Sequence, residues 1–344
     1  MRVTRRLRWA SGHAPARRTW EGSRAARRSL PVFLAAGGLM LLPLSAWAAP
    51  STSASGGHFR TIDDPNAGTA SGQGTYPSGI NKEGTLVGNY YTSSNQGFGF
   101  LYKDGTFTPV NDPHAGNGVF QGTDPLSINS GGAIVGYYTD AGGVDHGFLF
   151  RHGKFATLDD PNAGTSASQG TIPQCINDEN DIAGAYIDGA GVIHGFTLID
   201  GRYKTVDDPH AGRAGGQGTA LCTTNNNGVA AGALVDAHGD HHGFLDRSGH
   251  LSALINDPSA ANGSGLGTET FGINDSGEVG GQYFDAGGVL HGFILIRGRF
   301  TTIDDPKGST GSSVQSLSDT GELVGYYTDA NSAAHGFVFI PDGD

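Results

Sequence analysis

Two cysteines in 344 residues, Cys175 and Cys222, leave no disulfide framework on which a fold could depend and no C-x-x-C pair for metal or redox chemistry. They fall one residue out of equivalent register in neighbouring repeats, and whether they pair stays open at this level. Basic residues are also scarce, 21 Lys and Arg against 33 Asp and Glu, with charged residues only 16% of the chain. No G-x-S-x-G elbow, H-E-x-x-H helix or phosphate-cradling glycine loop occurs. The usual sequence signals of hydrolases, zinc proteases and nucleotide-dependent enzymes are therefore missing.

What is present begins with a basic leader. Residues 1–48 carry nine arginines and one acid, then the apolar run Val32 to Leu44, then Ala46-Trp47-Ala48. That order is the secretory pattern, and the apolar run is too short to anchor the chain in a bilayer. Cleavage after Ala48 is expected, followed by a short linker over 49–57 and an exported domain over 58–344. Arg27-Arg28 leaves twin-arginine export open beside the general route, and Pro31 weakens that match. Without the leader 12 basic and 32 acidic residues remain, a net charge of −20. Such a surface repels nucleic acid and anionic membranes and suits cations or basic partners.

Fifty-eight glycines point to a turn-dense all-β chain. Asp-Pro steps place prolines at Pro65, Pro113, Pro161, Pro209, Pro258 and Pro306, at spacings of 48, 48, 48, 49 and 48. A motif ending Gly-Phe recurs in step, at Phe100, Phe148, Phe196, Phe244, Phe293 and Phe337. Each period holds four short strand-like runs, as in Ser127-Ile128-Asn129, Ile134 to Thr139, His146 to Arg151 and Phe155 to Leu158. Four strands in 48 residues suit a propeller blade, whereas solenoid coils take roughly 20 to 30 residues. The chain opens on an isolated fourth strand, Phe59 to Ile62, and its last repeat supplies only three. The expectation is a six-bladed β-propeller with four-stranded blades, closed when the N-terminal strand completes the last blade and removes two open edges. Glycines at 88, 136, 184, 232, 281 and 325 are expected roughly across the hairpin from those of the Gly-Phe motif, through close packing between blades.

The elements I-N-x-x-G, V-G-x-Y-x-D, H-G-F and F-x-T-I-D-D-P recur in fixed order, for example at Ile128-Asn129, Val135-Gly136-Tyr137, His146-Gly147-Phe148 and Phe300 to Pro306. From Phe59 to Ile340 the chain resembles the HAF-repeat family of extracellular bacterial proteins. The resemblance implies an exported repeat protein and no particular activity. Departures occur at Phe98, Thr224 and Leu317-Ser318.

Three sets of residues are candidates for function. The repeated histidines lie on third strands, at least ~10 Å from the axis, too far apart to share one ion held at ~2 Å. A structural role on the blade edge is expected for them. In the fourth repeat, Asp236 to His242 packs three histidines and two acids into one hairpin. There His238 and Asp240 are the metal-ligand candidates, against an ordinary hydrated hairpin. The Asp-Pro loops run about ten residues, longer than a hairpin needs, and share a face with the Asp-x-x-Gly hairpins. They carry Asp64, Asp112, Asp160 and Asp208. They end in Gln73 and Thr75, Gln121 and Thr123, Gln169 and Thr171, and Gln217 and Thr219, whose amides and hydroxyls suit a sugar or a hydrated cation such as Ca²⁺. The competing reading has Asp capping the Pro turn and Gln bridging blades. The function expected is a monomeric, non-catalytic module binding a glycan, a cation or an extracellular protein through this acidic face. A propeller hydrolase or lyase acting on extracellular polysaccharide, and a purely structural surface protein, are the alternatives.

Overall fold

A computed structural model of the protein describes residues 56–247, 250–252 and 254–342. The expected leader 1–48 and the linker up to residue 55 lie outside them. All regular structure among the described residues is β, in 24 strands. No described helix is long and apolar enough to cross a membrane.

The strands fall into successive antiparallel groups. After β1 (Gly57–Ile62), the first unit is β2 (Gly74–Ile80), β3 (Leu86–Tyr91), β4 (Gly97–Lys103) and β5 (Thr106–Pro109). The second is β6 (Gly122–Ile128), β7 (Ile134–Thr139), β8 (Asp145–Arg151) and β9 (Lys154–Thr157). The third is β10 (Gly170–Ile176), β11 (Ile182–Ile187), β12 (Ile193–Ile199) and β13 (Arg202–Val206). The fourth is β14 (Gly218–Thr224), β15 (Val229–Val235), β16 (His241–Arg247) and β17 (His250–Leu251). The fifth is β18 (Thr268–Ile273), β19 (Val279–Phe284), β20 (Leu290–Ile296) and β21 (Arg299–Ile303). The sixth is β22 (Gly311–Leu317), β23 (Leu323–Thr328) and β24 (Ala334–Pro341). β1 pairs antiparallel with β24 over six residues, Gly57 opposite Pro341 through Ile62 opposite Gly336. The first and last described strands therefore share one group.

Hydrogen bonding merges the fifth, sixth and first units into one twelve-stranded sheet, and the second to fourth into another. The joints are single parallel bridges from the start of a first strand to the third strand of the preceding unit: Gly74 with Ala334, Gly170 with Asp145, Gly218 with Ile193, Gly311 with Leu290 and Gly267 with His241. Between the first two units the Gly97 N–H donates to Gln121 O at 2.9 Å. The glycines at these entries have φ between +121° and +148°, and a Cβ on any of them would collide with the preceding unit. That explains the glycine of each Gln-Gly-Thr. Every first strand also carries a bulge, at Pro77/Gly79 and its equivalents. Proline is tolerated there because the ladder is already interrupted.

Apolar side chains cluster at the junctions between units rather than in one central core. Val87 of the first unit meets Ile128, Ile134 and Phe148 of the second; Val135 meets Ile182 and Phe196; Ile62 and Val338 meet Ile80 and Leu86. The Gly-Phe phenylalanine of every unit is at most 1% exposed. Opposite it stands the glycine of the second strand, Gly88 against Phe100 through Gly325 against Phe337. This corrects the expected role of Gly88 and its equivalents. They face the phenylalanine within their own unit, one position away from the Gly-Phe glycine, and a Cβ there would strike the first strand of the same unit. The Gly-Phe glycines are the ones that pack between units, Gly99 against Pro125 and Gly147 against Pro173. Cys175 and Cys222 are both buried free thiols in different apolar clusters, and burial pushes the Cys175 thiol up to about 12. The one-residue offset makes Cys222 the extra residue of the β14 bulge, whereas Cys175 follows the bulge of β10 and pairs with Ala183.

Candidate functional site

Each Asp-Pro loop is fastened by side chains that repeat with it. Asp64 Oδ1 accepts Asn66 N–H at 2.8 Å, closing an Asx turn over the proline, and Asp112, Asp160 and Asp208 act alike on His114, Asn162 and His210. The N–H groups of Asp64, Asp112, Asp160 and Asp208 donate to the hydroxyls of Thr75, Thr123, Thr171 and Thr219 at 2.8–2.9 Å. Those four threonines are at most 1% exposed, so their hydroxyls anchor the loop from inside the fold. Gln73, Gln121, Gln169 and Gln217 each accept an N–H of their own loop, from Ala70, Gly118, Ser166 and Ala214. Their amide N–H groups donate across to carbonyls of the next hairpin, Ser93, Ala141, Gly189 and Ala237. Loops and Asp-x-x-Gly hairpins are thereby tied together at one end of the molecule. The glutamine joins a loop to the hairpin of the unit that it enters.

The histidines of the same end sit in a second repeated assembly. His146 stacks on Tyr138 with centroids 5.1 Å apart, its Nδ1 is 2.8 Å from Asp159 and its Nε2 is 3.7 Å from Asp140. His194 lies likewise between Asp207 and Asp188, His291 between Asp304 and Asp285, and His335 between Asp63 and Asp329. In the fourth unit His242 contacts Asn256 and Asp236. The Asp304 hydrogen bond holds His291 above the ordinary imidazole range, outweighing its partial burial. Burial works to raise Asp188, Asp236 and Asp329, yet turn N–H groups and the neighbouring histidines hold all three below the usual carboxylate range. Beneath four of these histidines a tyrosine hydroxyl pairs with a threonine, Tyr138 with Thr157, Tyr186 with Thr205, Tyr283 with Thr302 and Tyr327 with Thr61, while His242 lies opposite Leu234.

His238 is exposed in its turn, where its N–H donates to Asp236, and Asp240 accepts Gly263 N–H at 2.8 Å. No group of three or more His, Cys, Asp or Glu poised for a metal occurs among the described residues.

Two further arrangements escaped the sequence. At the end opposite the loops, buried asparagines link units in series. Asn81 Nδ2 donates to Asn129 O, Asn129 to Asn177 O, Asn225 to Asn274 O and Asn274 to Ser318 O, while each Oδ1 closes its own turn. The I-N-x-x-G motif was the available signal, but its partner lies 48 residues away. The other arrangement surrounds Glu269, which stands on β18 where other units carry Tyr76, Ile172, Ala220 or Ser313. Its carboxylate takes His241 Nδ1 at 2.7 Å on one oxygen and Gln282 on the other, and Gln282 continues to Ser313. The corresponding Asp124 hydrogen-bonds Tyr137.

Together these features define an all-β repeat protein of propeller-like build whose Asp-Pro loops and hairpins are tied together at one end. No protein-family model and no curated protein match the chain. Among solved structures it is similar to AofleA from Arthrobotrys oligospora, with 12% identity over 83% of this chain and 87% of that one and a TM-score of 0.51. Aleuria aurantia lectin, a fungal lectin with a six-bladed β-propeller fold and a fucose recognition mode, matches at 12% identity, TM-score 0.49, over 76% of this chain and 90% of that one. A gluconolactonase from Xanthomonas campestris matches at 13% identity, TM-score 0.47, over 83% and 90%. Identities this low speak to fold alone.

Proposed function

We propose that the chain is an exported, non-catalytic β-propeller of six four-stranded blades, closed by β1 and related to the HAF-repeat proteins, which binds a carbohydrate, cation or protein partner through its acidic loop end. The carrying observation is the repeated, internally fastened rim. Buried threonines and bridging glutamines hold the Asp-Pro loops against the hairpins in successive units. The expected ligands Asp64, Asp112, Asp160 and Asp208 are themselves buried in their turns, and the carboxylates that recur at the surface of this frame are those beside them and on the hairpins, such as Asp63, Asp159, Asp207, Asp285 and Asp329. Ordering such a surface in advance lowers the entropy lost on binding. Oxygen-rich rims of this kind suit a hard cation such as Ca²⁺, or sugar hydroxyls bridged by one. Four of the repeated histidines sit between carboxylates, and both Glu269 oxygens are taken.

A glycan array probed with the purified chain, with and without calcium, tests the reading. A glycan hit is expected, strengthened by calcium if the rim carboxylates bridge through the ion. A blank under both conditions removes sugars on that array from the proposal and shifts it to protein partners.

A further inference from the structure

The first unit breaks the Tyr–Thr pairing seen in four others, and a pocket of ≈ 110 Å³ opens at that place. Register fixes the equivalence: the residue opposite the buried phenylalanine is Thr157, Thr205, Thr302 and Thr61 in the second, third, fifth and sixth units, and Pro109 in the first. Proline offers no hydroxyl, and Tyr90 turns instead to Asn66. The stacked histidine is replaced by Phe98, 5.6 Å from the Tyr90 ring. The carboxylate that would hold that histidine is replaced by Asn111, whose Oδ1 accepts Gly99 N–H at 2.9 Å.

The floor of the pocket is polar and built. Asp64 is 6% exposed and lines it. Both hydrogen bonds to its carboxylate, from Asn66 N and Nδ2, go to Oδ1, and none from the described residues reaches Oδ2. In the third, fourth and sixth units the corresponding Oδ2 atoms of Asp160, Asp208 and Asp305 are sealed from solvent without partners. Asp64 Oδ2 is not among these sealed atoms, and its residue lines the open pocket. Beside it stands the Asn111 amide, with the Phe107 ring as an apolar wall.

We propose that this pocket binds one edge of a neutral sugar residue, through a vicinal diol, an inference that rests on the carbohydrate reading of the acidic end. A diol hydroxyl donates to Asp64 Oδ2 while its neighbour accepts from Asn111, and the ring's C–H face packs on Phe107. The volume equals that of roughly three or four waters at about 30 Å³ each, which fits a ring edge rather than a whole drug-sized ligand of ~300 Å³ or more. An anionic sugar is opposed by Asp64 and by the net negative charge. An ammonium ion would meet a single acceptor and the donor of Asn111.

Calorimetry and saturation-transfer NMR of the purified chain with methyl glucoside, galactoside and mannoside, and methyl glucuronide as the anionic control, test this. Binding of at least one neutral glycoside and none of the glucuronide is expected. Pro109→Thr installs the residue used by four other units and should weaken that binding tenfold or more by closing the pocket. Asn111→Asp, which loses the donor and restores the carboxylate of other units, should do the same. Undiminished binding in both variants overturns the pocket and leaves the wider carbohydrate reading standing. Failure of the wild type to bind any neutral glycoside overturns the pocket, and a hit on the glycan array would then still uphold sugar binding elsewhere on the rim.

Discussion

At the scale of single residues, His291 couples the loop end to pH. His291 is raised above its ordinary value by Asp304 and less than a quarter exposed. A group raised in the folded state contributes stability that is complete below its unfolded pKa of about 6.5 and is lost as pH climbs through the folded value. Thermal melts should therefore show a melting temperature that falls between about pH 6 and pH 8, and His291→Gln should flatten part of that fall. An unchanged slope in the variant would mean that the ion pair contributes nothing to folding. The histidines were legible as structural from their spacing. Their bracketing by two carboxylates was not, because Asp304 lies 13 residues from His291 and Asp285 in the preceding turn. Phe98 was legible only as a tolerated change. Its meaning appears once Pro109 and Asn111 are seen at the same spot, on a different strand and the loop beyond it.

At the scale of elements, the strands and turns could be read almost one for one from the repeat, since a 48-residue period fixes phase and alternation together. What the pattern could not supply was the destination of polar side chains. The asparagine of I-N-x-x-G reads as a turn former, and its Oδ1 does close the turn. Its Nδ2 spends its hydrogen bond on the next unit, and Asn129 is buried in doing so. Removing it takes one hydrogen bond from the Asn177 carbonyl, which keeps that of Asn180 N–H, and strands the buried Ala133 N–H that donates to Asn129 Oδ1, at a cost of about 1–3 kcal/mol. Asn129→Ala should lower stability in chemical denaturation by that amount. A serine at position 318 already occupies the matching place in the sixth unit, so loss of a single link is expected to weaken the series without abolishing the fold. The threonines of the loop ends show the same limit of sequence reading: a hydroxyl beside a candidate ligand loop looks available, yet each is buried beneath the loop it anchors.

At the scale of the molecule, the pairing of β1 with β24 has the largest mechanical weight. Phe59 packs on Phe337 and Phe339, and Asp63 reaches His335 across the same joint. Removal of residues 1–62 would uncover an apolar edge on β24, an invitation to pairing between copies. Size-exclusion chromatography should show such a variant as oligomers or aggregates, and calorimetric melting should become less cooperative. A monomer with the melting profile of the intact chain would contradict the role of β1. The phase of the repeats made this joint readable, because a lone fourth strand at one end matched a missing fourth strand at the other.

The same joint sets an order of events in time. Among the described strands β1 is the earliest to be synthesised and its partner β24 the latest, with Asp63 and His335 separated by 272 residues. Contacts that distant in sequence form slowly, and strands left waiting are exposed to mispairing. Each intermediate unit can build its own hairpins as it emerges, but β1 must stay unmatched until β24 is made. A chain halted anywhere short of β24 would leave β1 without its partner strand.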